Sequence, residues 1–85
     1  MLTRETIIDT ITVLDYGAIQ VRQATYILDE GQRIAGPMYH RRAYEPGTDI
    51  STENTRVQDI SAVVWTPEVV QAHRDRLAAD DARRR

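Results

Sequence analysis

The 85-residue sequence has no cysteine, no phenylalanine and no lysine. Without thiols there can be no disulfides and no thiolate metal sites, and His40 and His73 are the only imidazole ligands left. Without phenylalanine, and with a single tryptophan, the interior has to be assembled from eight Ile, seven Val and four Leu. Few of its side chains therefore supply the large area that one aromatic ring buries. A chain of this length hides only about 60% of its unfolded surface, so the expected core is thin and the stability marginal. Small proteins of this kind lean on staples or on partners, and with cysteine gone a partner is the staple that remains.

Further absences narrow the function. No segment approaches the roughly 20 apolar residues of a membrane span, and none near the start is long enough for a secretory signal. Synthesis and residence in the cytoplasm are the expectation, with no membrane partner. The formal charge is −2, from 11 basic and 13 acidic residues, which gives no general attraction to nucleic acid. All the basic residues are arginine. Base composition in a GC-rich genome accounts for that bias, and arginine also suits bidentate pairing at interfaces better than lysine does.

What is present reads as an α+β domain, a three-stranded antiparallel β-meander followed by two C-terminal helices packed on the sheet. Leu14-Asp-Tyr-Gly17 and Leu28-Asp-Glu-Gly31 use the same turn grammar twice, in which Asp starts a type I turn and Gly takes the left-handed position after it. Strands are expected near 6–14, 18–28 and 33–44. Pairing Leu14 with Ala18 sets Val13 against Ile19 and Ile11 against Val21, so one hairpin face is apolar while Thr12, Gln20 and Arg22 point to the other. The second turn would pair Leu28 with Gln32 and place Tyr26 opposite Ile34. Gly36-Pro37 interrupts the third strand, which marks it as an edge with a bulge or bend. Tyr26, Leu28 and Ile34 fall on the face opposite Ile19 and Val21, an apolar patch suited to a neighbour. The alternative is a twisted ribbon that curls over its own helices.

After the loop Tyr44-Glu-Pro-Gly-Thr-Asp-Ile-Ser51 the period changes to 3.6, predicting helices near 54–64 and 67–83. Val57, Ile60 and Val64 line one side of the first, with Val63 widening the stripe. Trp65, Thr66 and Pro67 form the elbow: Thr66 is an N-cap, Pro67 occupies the first helical position, and Glu68 suits the helix dipole. Trp65 reads as the hinge pin, placed to pack on the helix it precedes as in a hydrophobic staple. The second helix would turn Val69, Val70, His73 and Leu77 toward the sheet. Its tail sets Asp80 four residues before Arg84 and Asp81 four before Arg85, with Arg83–Arg85 at the favourable end of the dipole.

The segment Tyr39-His-Arg-Arg-Ala-Tyr44 concentrates the reactive groups, but strand alternation separates His40 and Arg42 from Tyr39 and Arg41. No carboxylate stands at an obvious spacing to orient a general base, so no catalytic residue is assigned and the chain is not expected to be an enzyme. Zinc through His40 and His73 would need two carboxylates drawn from acids with no motif spacing, and no metal or cofactor is assigned. A charge-guarded edge strand fits better, with Tyr39, Arg41, Arg42 and Tyr44 as interface residues beside Tyr26, Leu28 and Ile34. Nucleic-acid binding through Arg41, Arg42 and Arg83–Arg85 meets the offsetting Asp80 and Asp81 and lacks a recognition motif.

The stretches Thr10-Ile-Thr-Val-Leu14, Ile19-Gln-Val-Arg22, Tyr39-His-Arg-Arg42, Pro46-Gly-Thr-Asp-Ile-Ser51 and Val63-Val-Trp-Thr-Pro-Glu-Val-Val-Gln-Ala72 together resemble a group of small proteins encoded among the structural genes of tailed bacteriophages and prophages. The resemblance covers most of the chain, excluding the segment before Thr10 and the Asp80–Arg85 tail. It implies a structural role in the tail, baseplate or fibre region of the virion, reached after synthesis in the host cytoplasm. Larger virion proteins and copies of the chain itself would be the partners. It supplies no active-site residues. A cytoplasmic assembly chaperone or small regulatory binding module is the alternative, since the same surfaces would serve it.

Overall fold

The computed structural model describes residues 1–84. It contains β1 (Leu2–Val13), β2 (Ile19–Asp29), β3 (Gln32–Tyr44), α1 (Thr55–Val64) and α2 (Pro67–Arg83). The three strands form one antiparallel sheet in the order β1-β2-β3, and the two helices follow it, an α+β arrangement. β1 starts at Leu2 rather than near Thr6. No helix among the described residues is long and apolar enough to cross a membrane.

The first hairpin follows from its turn chemistry. Leu14 N donates to Ala18 O and Gly17 N to Leu14 O, each at 2.9 Å, with Gly17 at φ +100°. The register sets Val13 against Ile19 and Ile11 against Val21, as the alternation requires. One irregularity has no turn or proline to announce it. Ile8 pairs with Gln23 and Thr10 with Arg22, so Asp9 is an extra residue in β1.

The second turn differs from the sequence expectation. Glu30 and Gly31 both adopt positive φ, 50° and 81°, the signature of a two-residue type I′ turn rather than a three-residue loop. Asp29 therefore pairs with Gln32 and Leu28 with Arg33, not with Gln32. The expected Tyr26–Ile34 pair does not form either. Ladder partners step from Leu28–Arg33 to Ile27–Ala35 and then to Thr25–Met38, so Ile34 is bulged out and β3 gains a further residue around Gly36-Pro37. Two bulges within five residues strengthen the local twist and break the outer hydrogen-bonding edge.

The core sits at one end of this sheet. Ile19, Val21 and Val57 are fully buried, and Ile8, Ile11, Tyr44, Ile50, Ile60 and Trp65 pack around them. α1 begins at Asn54, whose Oδ1 accepts from Arg56 N at 2.9 Å. Its inward face is Val57, Ile60, Ser61 and Val64. Val63 does not widen the stripe as expected but is 78% exposed, because the helical period gives the inward position to Ser61, whose Oγ donates to Gln58 O at 2.7 Å.

Thr66 and Pro67 start α2 as the sequence indicates, with Thr66 Oγ1 accepting from Val69 N at 3.3 Å. Trp65 makes two hydrogen bonds of its own at the elbow. Its backbone caps α1 by donating to Ser61 O at 2.7 Å, and its indole Nε1 reaches the first hairpin turn, donating to Gly17 O at 2.7 Å. The same glycine receives α2: a Cβ there would lie 2.6 Å from Val69 Cγ1 and 3.3 Å from Pro46 Cγ. Val69, Val70 and His73 are half-buried in this seat. Leu77, expected to face the sheet, is 55% exposed, because α2 departs after its first turns and has no buried residue. The Arg76 guanidinium lies 4.7 Å from the Tyr16 ring centroid, the last contact with the sheet end that the helix makes through an aromatic.

The result is long rather than round. The Cα radius of gyration is 17.2 Å, against roughly 12 Å for a compact chain of this length, and the extents are 57 × 27 × 20 Å. Replacing Trp65 by Ala removes a partly buried indole and its hydrogen bond, and is expected to cost about 3 kcal/mol in chemical denaturation followed by circular dichroism. Trp65→Phe keeps most of the packing and isolates the hydrogen bond, for an expected loss of about 1 kcal/mol.

Candidate functional site

The chain divides its charged side chains between two faces of the sheet, and the two faces behave differently. On the helix-bearing face the strand alternation brings Gln23, His40, Arg42 and Tyr44 together. The loop before α1 lays Glu53 on them. Arg42 Nε donates to Glu53 Oε2 and Arg42 Nη2 to Glu53 Oε1, both at 2.7 Å, a bidentate pair. Tyr44 Oη donates to Oε2 at 2.5 Å and the backbone N–H of Asn54 to Oε1 at 2.9 Å. Arg42 Nη1 reaches Gln23 Oε1 at 3.2 Å and stands 3.4 Å from His40 Nδ1.

The Glu53 side chain is only 7% exposed and that of Arg42 22%. The Arg42 guanidinium, with help from the Tyr44 hydroxyl and the Asn54 amide, holds the Glu53 carboxyl down at about 2, against the opposing effect of its burial. The same hydrogen bonds raise the Arg42 guanidinium and the Tyr44 phenol above their ordinary values. A carboxylate saturated by four donors and held ionised in this way is a weak base. Its chemistry is that of a clasp joining β3 to the start of α1. No orienting carboxylate was expected for this cluster, and the structure corrects that: Glu53 stands eleven residues beyond Arg42, across an irregular loop whose path no spacing rule describes.

Among the described residues the opposite face carries no helix, and Thr10, Thr12, Gln20, Arg41 and Ala43 are exposed on it. Arg22 and Arg41 are direct cross-strand partners there, with Tyr39 beside them opposite Ala24. Arg22 Nε and Nη2 donate to the two carboxylate oxygens of Asp9 at 2.9 and 2.8 Å, and this guanidinium lowers the Asp9 carboxyl and is itself raised. The guanidinium carbons of Arg22 and Arg41 lie 4.4 and 5.4 Å from the Tyr39 ring centroid. Nearer the tip, Arg33 sits 3.9 Å over the Tyr26 ring and pairs with Glu5 at 2.7 Å.

The residues singled out from the sequence thus separate. Arg42 and Tyr44 turn inward to Glu53, because their strand parity points them at the α1 side. Tyr39 and Arg41 are exposed on the helix-free face. Tyr26 and Leu28 share that face and are half-buried, while the bulge leaves Ile34 58% exposed. Leu2 and Met38, not singled out, are 65% and 55% exposed near the same end of the sheet. His40 and His73 are not brought together: His40 stands by Arg42, and His73 Nδ1 lies 3.8 Å from Glu45 Oε2. Of the tail pairs, the one involving Arg85 lies outside the described residues. Comparison with protein-family profiles, curated proteins and solved structures finds no match to this chain.

The clasp has a pH signature with a defined sign. The folded Glu53 value lies below the ordinary 4.5, so its stabilisation is fully present above about pH 5 and fades as the pH falls toward 2. After allowance for solvent screening it contributes about 2 kcal/mol. Glu53→Gln is expected to lose roughly that amount at pH 7, and the difference in stability from the unmodified chain should shrink toward zero between pH 5 and 2 in urea titrations. A difference that stays constant over this range would show that the carboxylate charge does not hold β3 to α1.

Proposed function

We propose that the chain is a non-enzymatic packing module, a small structural component of a tailed-phage particle that is completed by contact with larger proteins. The observation that carries this reading is the uncovered half of the sheet. All nine residues of the core cluster and its surround lie at the helix-bearing end or in the helices and loops that cover it. Beyond Gln23, β2 continues for six residues to Asp29, about 20 Å of strand at the usual rise. Among the described residues none of that cluster lies on this length, whose one fully buried residue is Ala24, and Leu2, Ile34 and Met38 are exposed beside it.

Such an arm is poorly suited to solitary existence. A three-stranded ribbon with no covering layer gains little from burial, and exposed apolar side chains at its end lower the free energy of any complex that covers them. The resemblance of the Thr10–Ala72 region to phage structural-module proteins supports a virion as the place where that covering occurs. Arg33 over Tyr26, Arg41 over Tyr39 and the bulges in β3 favour contact through side chains on the sheet faces over strand addition at the β3 edge.

Mass spectrometry of purified particles from the phage whose structural genes encode the chain is expected to find it in fixed stoichiometry with the tail proteins. Abundance in the lysate with absence from finished particles would overturn the structural role and favour an assembly chaperone.

A further inference from the structure

We infer that the groove on the helix-free face, beside Arg41, receives a carboxylate side chain from an acidic segment of a protein partner. The inference rests on the packing role proposed above and adds the chemistry of the partner at one place. The groove has a volume of about 440 Å³, and Thr10, Thr12 and Gln20 line it together with the three arginines Arg22, Arg41 and Arg42.

Two like charges directly opposite each other on neighbouring strands repel and destabilise the pair unless compensated. Arg22 and Arg41 are such a pair. Compensation is supplied to one of them. The β1 bulge delivers Asp9 beside Arg22, and the two form a bidentate pair. Arg41 is exposed and has no carboxylate partner among the described residues. Its guanidinium is placed all the same, above the Tyr39 ring, which it shares with Arg22. Stacking leaves the in-plane N–H donors of a guanidinium open, and those donors match the geometry of a carboxylate. The neighbouring Arg42 shows what this chain does with a guanidinium it satisfies internally: it closes on Glu53 from the other face. Arg41 is the counterpart left to an external acid.

The surrounding hydroxyl and amide groups of Thr10, Thr12 and Gln20 can donate to a second carboxylate oxygen or to a backbone carbonyl of the incoming segment. A polyanion such as nucleic acid fits less well. One uncompensated guanidinium neutralises a single charge, and the chain's net charge of −2 repels the remainder.

The test is an NMR titration of the isotope-labelled full chain at low salt with a blocked hexaglutamate peptide, alongside an oligothymidylate of equal formal charge. The amides of Thr10, Thr12, Gln20 and Arg41 are expected to shift with the peptide, and Arg41→Gln should weaken its binding by about tenfold or more, the loss of one charge-assisted contact. Arg41→Lys should retain part of the affinity, since it keeps the charge and loses the fork. Because Arg41 is exposed, both variants should keep the amide pattern of the helix-bearing end. The inference is overturned by shifts confined to the terminal arginines, by unchanged affinity in Arg41→Gln, or by tighter binding of the oligothymidylate. Each of those outcomes leaves the packing role open to its own test on purified particles.

Discussion

One carboxylate joins the two halves of this protein. Glu53 belongs to the irregular segment between sheet and helices, and its four accepted hydrogen bonds reach β3 through Arg42 and Tyr44 and the start of α1 through Asn54. α1 has only Val57 and Ser61 buried along its length, so apolar contact alone gives it a narrow hold on the sheet. The ion pair fixes where along the sheet that helix begins, and thereby which strand residues the Val57–Val64 stripe meets. Because the carboxylate is saturated, the desolvation of the pair is offset by hydrogen bonds at every available lone pair, the condition under which a partly buried ion pair is tolerated.

At the other end of α1 the constraint is steric. Gly17 leaves room for Val69, and its carbonyl accepts the Trp65 indole, so the first hairpin turn is both the socket for the elbow and its hydrogen-bonding partner. A side chain at position 17 would have to displace the Val69 side chain in the first turn of α2. These two anchors, Glu53 and the Gly17–Trp65 contact, account for a helix layer that covers one end of a sheet whose strands run well past it. The aliphatic composition sets the same limit from the outset: the three fully buried large side chains are two from β2 and one from α1.

Much of this was legible in the sequence, and the parts that were not share a cause. The first hairpin could be read because turn grammar and apolar alternation agree, and Thr66-Pro67-Glu68 could be read because capping chemistry is local. The second hairpin misled because the same Leu-Asp-x-Gly words close a different turn when Glu30, a residue with a Cβ, accepts positive φ. That turn alone takes Ile34 off Tyr26, and two bulges then shift the register further, only one of them flagged by proline. Glu53 was invisible for a different reason: its role depends on the path of a loop, and a path has no periodicity. Leu77 was placed inward by helical period, which states which side of a helix is apolar but not how far along its axis the neighbouring surface extends.

A sheet anchored at one end opens unevenly. Strand pairs near Ile19 and Val21 can separate only when the helix layer is undone, whereas pairs near the Glu30–Gly31 turn have no such layer above them and can fray from the tip inward. Amide protons along β2 therefore form a graded series of solvent exchange rates, slow beside Val57 and faster toward Asp29. Any body that settles on the arm will flatten the gradient from its fast end while leaving the slow end as it was.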